Sequence, residues 1–267
     1  MIRQLHSGDC ISAFGMRNSY WGKRIYTYYC AYGTEYDFCK FYGCSSDDFF
    51  AVIMLFNSTM TIWSQNEPCK ELCEELSSFV LMYAPEQIEA PLNIAANLRI
   101  GCMYTTRHRT MFKMVPNHQY IPSDITVNKK PNLDKVYDIL SESFEDTMDY
   151  GLWLTDTSHR RRRNLTKLFL YADSSTATIM FDDESYAFVG HIATRKAQRG
   201  KGSARKLLYY IASMLENENK SGYLYAYDHR ARFYEEIGFE NVGDDYIIIK
   251  TDTENRSNND FEDFREY

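Results

Sequence analysis

Apolar residues recur along this chain with two different periods. Leu133, Val136, Ile139 and Leu140 in "LDKVYDILSESF" share one helical face, and "TMDYGLWLTDTSHRRRRN" reads as a shorter helix running into a basic loop. "TKLFLYAD", "TATIMFDD" and "SYAFVGHIATR" are short apolar runs divided by Asp, Ser and Glu clusters. They predict three strands paired consecutively and antiparallel. Ala204, Leu207, Leu208, Ile211 and Leu215 then mark another amphipathic helix. A strand "SGYLYAYD", a short helix "RARFYEEIGF" ended by Gly238 and a strand "YIIIK" complete the order ααβββαβαβ.

The first half is patterned differently. "FFAVIMLFNSTMTIWS" predicts a hairpin turning at Asn57 and Ser58. "NEPCKELCEELSSFVLMY" predicts a helix with Asn66 as cap, Pro68 in the first turn, and Leu72, Leu76, Phe79 and Val80 on its buried face. "RIYTYYCAYGTEYDFCKFYG" is β-prone or mixed, and its periodicity does not decide between strand and helix. Two prolines and little hydrophobicity in "IPSDITVNKKPNL" put the domain boundary there. The expected layout is an α+β domain over 1–127, a second domain over 128–250, and a disordered acidic tail over 251–267.

Composition narrows the function classes. Among 267 residues, 44% are hydrophobic and 25% charged, enough apolar content for an ordinary core. A net charge of −7 argues against a protein devoted to nucleic acid. No apolar run reaches the length of a membrane span, and "MIRQLHSGDCISAFG" lacks the pattern of a secretion signal, so a cytoplasmic protein without membrane partners is expected. All seven cysteines, Cys10, Cys30, Cys39, Cys44, Cys69, Cys73 and Cys102, lie in the first half. Their odd number speaks against a disulfide framework, and the closest pairs, Cys69/Cys73 and Cys39/Cys44, lack CxxC spacing, so no metal is expected. The step from Cys69 to Cys73 suits two thiols on one helical face.

The stretch "QRGKGSARKLL" carries the chemistry. Gly200 and Gly202 remove side chains where backbone N–H groups could converge on an anion, and the following helix adds unpaired donors in its first turn. Arg199, Lys201 and Arg205 add positive charge. The spacing fits neither GxxxxGK[ST] nor GxGxxG, because position 205 is arginine. It fits [RQ]xxGx[GA], written here as Arg199-Gly200-Lys201-Gly202-Ser203-Ala204. With "RFYEEIGF" one strand downstream, the chain over roughly 130–250 resembles the GNAT superfamily of N-acetyltransferases.

That resemblance implies an α+β, three-layer fold with a mixed, mostly antiparallel sheet flanked by helices, preceded here by the second α+β domain. It implies acetyl-CoA as co-substrate, with the backbone of Ile192, Ala193 and Thr194 along the pantetheine arm and residues 199 to 204 around the diphosphate. Tyr234 matches the tyrosine near the CoA sulfur and would protonate the leaving thiolate, while a primary amine of a small molecule or peptide attacks directly. Trp153, His159 and Arg160, in a WxxDxSHRxR segment, match residues that line the acceptor site. No carboxylate stands on the strand before the loop. His191 is the only group there of suitable pKa, Asp182, Asp183 and Glu184 could act only through water, and position 227 is Tyr where the family often has asparagine. These departures leave a second reading open, a catalytically idle acyl-CoA-binding module. The strand-then-helix layout of the first half fits either a degenerate GNAT-like half or an unrelated α+β domain.

Overall fold

A computed structural model describes residues 1–7, 9, 16, 19–46, 49–121, 125–144 and 149–251. Cys10 and the expected tail from residue 252 onward lie outside the described residues. The first elements are β1 (Arg3–Gln4), α1 (Tyr20–Tyr32), β2 (Cys39–Ser46), β3 (Phe49–Phe56), β4 (Thr59–Ser64), α2 (Lys70–Tyr83), β5 (Gln87–Glu89), α3 (Leu92–Ala95) and β6 (Tyr104–Met114). Then come β7 (Val127–Asn128), α4 (Leu133–Ser141), α5 (Tyr150–Arg162), β8 (Lys167–Tyr171), β9 (Ser175–Asp182) and β10 (Tyr186–Thr194). The last are α6 (Ser203–Asn217), β11 (Ser221–Tyr227), α7 (Asp228–Glu236) and β12 (Glu240–Lys250). No helix among the described residues is long and apolar enough to cross a membrane.

Local chemistry explains most of these elements. Asn57 closes the β3–β4 hairpin with a φ of 49°, a left-handed conformation that asparagine tolerates. Asn132 caps α4 by accepting from the amides of Asp134 and Lys135, and Asp149 caps α5 by accepting from Gly151 and Leu152. The basic run expected as a loop is helical through Arg162, since cations in the last turn complement the helix dipole. The undecided tyrosine-rich segment divides into helix α1, which buries Ile25, Tyr28 and Tyr32, and strand β2. Helix α2 starts after Cys69, not at Asn66, leaving Pro68 outside the helix. Cys69 is therefore exposed at the cap while Cys73 is buried one turn on.

The chain divides into two compact units, residues 1–108 with those from 245 onward, and residues 109–244. This differs from the single break expected at 127/128, and strand pairing gives the reason. In the second unit β8, β9 and β10 pair antiparallel, α6 crosses over, and β11 lies parallel to β10. The outer neighbour of β11 is Arg109–Met114 of β6, antiparallel to it. In the first unit β2, β3 and β4 pair antiparallel, α2 crosses over, β5 lies parallel to β4, and Ile247–Ile249 of β12 pairs antiparallel with β5. Relative to the break expected at 127/128, each unit thus takes its sixth strand from the other side.

Each unit has its own core. Phe112, Ile179, Leu207, Leu208, Ile211, Leu215 and Leu224 pack α6 onto the second sheet without solvent contact. Ile53, Met60, Ile62, Leu76, Val80 and Ile88 do the same for α2 on the first. The first unit also buries an ion pair. Arg24 Nη1 lies 3.0 Å from Glu89 Oε1, and the Tyr20 hydroxyl donates to Glu89 Oε2 at 2.8 Å.

Two outcomes are expected. A fragment of residues 128–250 lacks the β6 segment and should show no cooperative thermal transition by circular dichroism, whereas 109–244 should show one; equal behaviour of the two would contradict the strand assignment. Glu89→Ala strands the Arg24 guanidinium in the first core and should cost about 3–5 kcal/mol in urea denaturation, against which an unchanged midpoint would count.

Candidate active site

The site is built by a sheet that comes apart. β10 and β11 are paired only through Tyr186, Ala187 and Phe188 opposite Ser221, Gly222 and Tyr223. Beyond Phe188 the two parallel strands share no ladder, although β10 stays paired to β9 as far as Thr194 and β11 to β6 as far as Tyr227. Each arm of the fork is therefore held on its outer edge and has its inner backbone edge turned to the gap. The register of β10 against β9 shifts between Gly190 and Ala193. His191 sits in this irregularity with φ at 50°, a strained value for a side chain with a Cβ, so the backbone of Ile192, Ala193 and Thr194 is re-aimed there.

The glycine loop leaves the end of that arm. Gly200 and Gly202 both have φ of 75°, and a Cβ built on either meets nothing within 4 Å. Conformation, not crowding, demands glycine, and the space beside both is open. Among the described residues the backbone N–H groups of Gly200, Lys201 and Gly202 donate to no carbonyl, and Ser203 opens α6 with the free donors of a first helical turn. Arg199 Nε donates to the Thr194 carbonyl at 3.3 Å, and Lys201 Nζ donates to Gln198 Oε1 at 2.8 Å. On the first turn of α6, Arg205 has its Nε buried without a partner. Unpaired amides and two left-handed glycines beside Arg199, Lys201 and Arg205 fit a diphosphate, the group that the resemblance implies at Arg199, Gly200, Lys201, Gly202, Ser203 and Ala204.

Tyr234 stands on α7, which begins where β11 ends. It is 5% exposed and packed by Phe112 and Phe239, with ring centroids 5.5 and 6.2 Å away. Burial pushes its phenol up to about 12, and the charge of Arg230 opposes that rise. The proton is therefore held firmly across the neutral range, as a group that donates rather than accepts must hold it.

The acidic residues before β10 do not serve the opening of the fork. Asp182 Oδ2 is 2.9 Å from both Lys167 Nζ and Lys220 Nζ; burial pushes its carboxyl up, and the two lysines more than reverse this. Asp183 accepts from the amides of Ser185 and Tyr186 in the turn, and Glu184 is exposed. All three precede Tyr186, at the paired end of the fork. Of the residues matched to acceptor lining, Trp153 and Arg160 are buried inside the helical layer. Trp153 packs with Val136, Ile139 and Leu140, while Arg160 Nη2 and Nε donate to Asp156 at 2.6 and 3.0 Å. Both side chains thus lie in interior packing, the Trp153 indole N–H without a partner among the described residues, and His159 is half-buried on the same helix.

Some residues at the fork went unread in the sequence. Ser143 donates to the Thr194 carbonyl at 3.3 Å and accepts from Arg199 Nη2 at 3.4 Å. Phe144 carries the Arg230 guanidinium over its ring at 4.9 Å. Neither segment has a motif, and only the fold brings residues 143 and 144 to the end of β10.

Residues 167–241 match the family model described as an acetyltransferase (GNAT) domain. No curated protein sequence matches the chain. A tandem GNAT protein from the clavulanic acid biosynthesis pathway aligns with a TM-score of 0.57 at 9% identity, covering 94% of this chain and 98% of its own. A GNAT-family acetyltransferase from Colwellia psychrerythraea aligns with a TM-score of 0.54 at 12% identity, covering 94% of this chain and all of its own. A conserved protein of unknown function from Staphylococcus epidermidis gives 0.55 at 13% identity, covering 78% and 93%. At such identities the structures share the fold, mixed α+β with a mostly antiparallel sheet flanked by helices, and the family-model match runs from β8 to the start of β12, across the fork and its loop. Within the second unit of this protein, residues 167–241 thus match the acetyltransferase (GNAT) domain.

Proposed function

We propose that this protein transfers an acetyl group from acetyl-CoA to a primary amine of a small molecule or peptide, by direct attack and without a metal. The observation that carries the reading is the open fork between β10 and β11, whose one arm runs into a loop of unpaired amides and left-handed glycines. Acetyl-CoA, when bound, supplies an activated acyl carbonyl on a thioester with a good leaving group. The edge of β10 at Ile192, Ala193 and Thr194, which β11 leaves unused, faces the pantetheine amides, and the loop from Arg199 to Ala204 holds the diphosphate. Held this way, the thioester needs no covalent enzyme intermediate, because proximity and orientation replace a second molecule's search. The amine nitrogen bonds to the carbonyl carbon as the C–S bond breaks. Tyr234 gives its phenolic proton to sulfur and regains one from solvent, while the amine loses its surplus proton to water.

A second reading, an idle acyl-CoA-binding module, is favoured by one observation: β10 carries no carboxylate, and the nearest acid, Asp182, is engaged by two lysines. The first unit, which repeats the strand order around β4 and β5, is proposed as a degenerate GNAT-like half. Its loop after Ser64 has no glycine and includes Glu67 and Pro68, one repelling a diphosphate and the other lacking an N–H. A cytoplasmic location suits a consumer of acetyl-CoA and is part of this proposal.

Thiol release from acetyl-CoA, followed with a panel of primary amines, separates the two readings. Amine-dependent release that disappears in Gly202→Glu is expected; absence of release with every amine of the panel would favour the idle module. Tyr234→Phe should lower kcat severalfold or more and leave acetyl-CoA affinity by calorimetry within about twofold. With the phenol at about 12, its protonated, donating form persists at all lower pH and is lost only above that value. No alkaline fall in kcat attributable to Tyr234 is therefore expected up to pH 10, and one that vanishes in Tyr234→Phe would contradict the assignment.

A further inference from the structure

The fork poses a mechanical problem. Past Phe188 and Tyr223 no backbone hydrogen bond joins the arms, and β9 and β6 hold only their outer edges, so any tie across the gap comes from outside these strands. Residues 142–144, just beyond α4, connect to both. On the β10 side, Glu142 pairs with Arg195 and accepts from the amide of Lys196 at 3.3 Å, and Ser143 bonds to Thr194 and Arg199. On the β11 side, Phe144 holds Arg230, in the first turn of α7, with the guanidinium 4.9 Å from its ring centroid. Arg230 is four residues before Tyr234, so the two share one face of α7.

We propose that Phe144 and Arg230 are positioning residues for acyl transfer: their cation–π contact ties α7 to the β10 arm, sets the width of the fork, and fixes Tyr234 against the thioester. The proposal rests on the acyl-transfer reading of the fork and goes beyond it, since neither residue belongs to a motif. The contact suits the task. An Arg over an aromatic face is attracted by the ring's electron density, an attraction that strengthens with desolvation and with ring size, greatest for Trp. An aliphatic side chain of similar volume keeps the packing and loses this attraction. Arg230 also lowers the pKa that burial raises in Tyr234, so the same cation that braces α7 eases proton release toward sulfur.

The test uses the full chain and four variants, Phe144→Leu, Phe144→Trp, Arg230→Met and Arg230→Lys, each first checked for a wild-type thermal transition. Two readouts are taken. The first is amide hydrogen exchange of Val189–Thr194 and of α7 in the free protein, which needs no turnover. The second is kcat and calorimetric affinity with acetyl-CoA and the best primary amine of the panel. Phe144→Leu and Arg230→Met should each raise exchange in both segments and lower kcat about tenfold, with acetyl-CoA affinity within about threefold. Phe144→Trp should stay near wild type, Arg230→Lys should fall between, and the Phe144→Leu/Arg230→Met double variant should be no worse than either single one. Phe144→Leu equal to Phe144→Trp in exchange would show packing alone and overturn the proposal, as would independent, multiplicative losses in the double variant. Wild-type protein that binds no acetyl-CoA would overturn the reading of the fork itself, and the positioning role with it, whatever the exchange pattern.

Discussion

Everything at the candidate site depends on two parallel strands that stop pairing. Tyr186–Phe188 and Ser221–Tyr223 make a short ladder, and beyond it the inner edges of β10 and β11 carry backbone donors and acceptors that the sheet leaves unused. Such groups are costly when buried and unmade, so an open fork is stable only if solvent or a ligand satisfies them. The rest of the unit keeps the gap from collapsing. β9 and β6 hold the outer edges to the ends of both arms, α6 fills the core behind them with Leu207, Leu208, Ile211 and Leu215, and the irregularity at His191 turns the last residues of β10.

The glycine loop extends the same logic from strand to helix. Gly200 and Gly202 adopt left-handed conformations so that consecutive amides point away from their own chain, and α6 begins at once, adding its first-turn donors. An extended ligand with amides at one end and a diphosphate at the other would meet the unladdered strand edge and then the loop amides. Tyr234, the acid of the proposed reaction, stands on α7, which follows β11 without a loop.

Much of the second unit was legible because its signals are local. The periods of α4 and α6, the turn clusters between β8, β9 and β10, and the loop spacing each sit in a short window, and all name elements that the fold contains. The trade of sixth strands was not legible. "YTTRHRTMFKM" alternates too many charged residues to stand out as β6, and its partner β11 lies more than a hundred residues away. Arg160 shows the opposite limit: a run of four arginines looks solvated, yet Asp156 one turn earlier makes the first of them an interior residue. Phe144 and Arg230 show it again, since a ring and a cation separated by eighty-odd positions meet only through the topology.

The two units share a strand order and differ in their loops, and this contrast allows the most direct test. Acetyl-CoA titrated into isotopically labelled protein can be followed through its backbone amide resonances. Saturable shifts are expected at Ile192–Thr194 and Gly200–Ala204, with the amides of residues 59–69 in the first unit unmoved. Shifts at 59–69 with none at the glycine loop, or no saturable shift at either place, would contradict the assignment of the fork as the acyl-donor site.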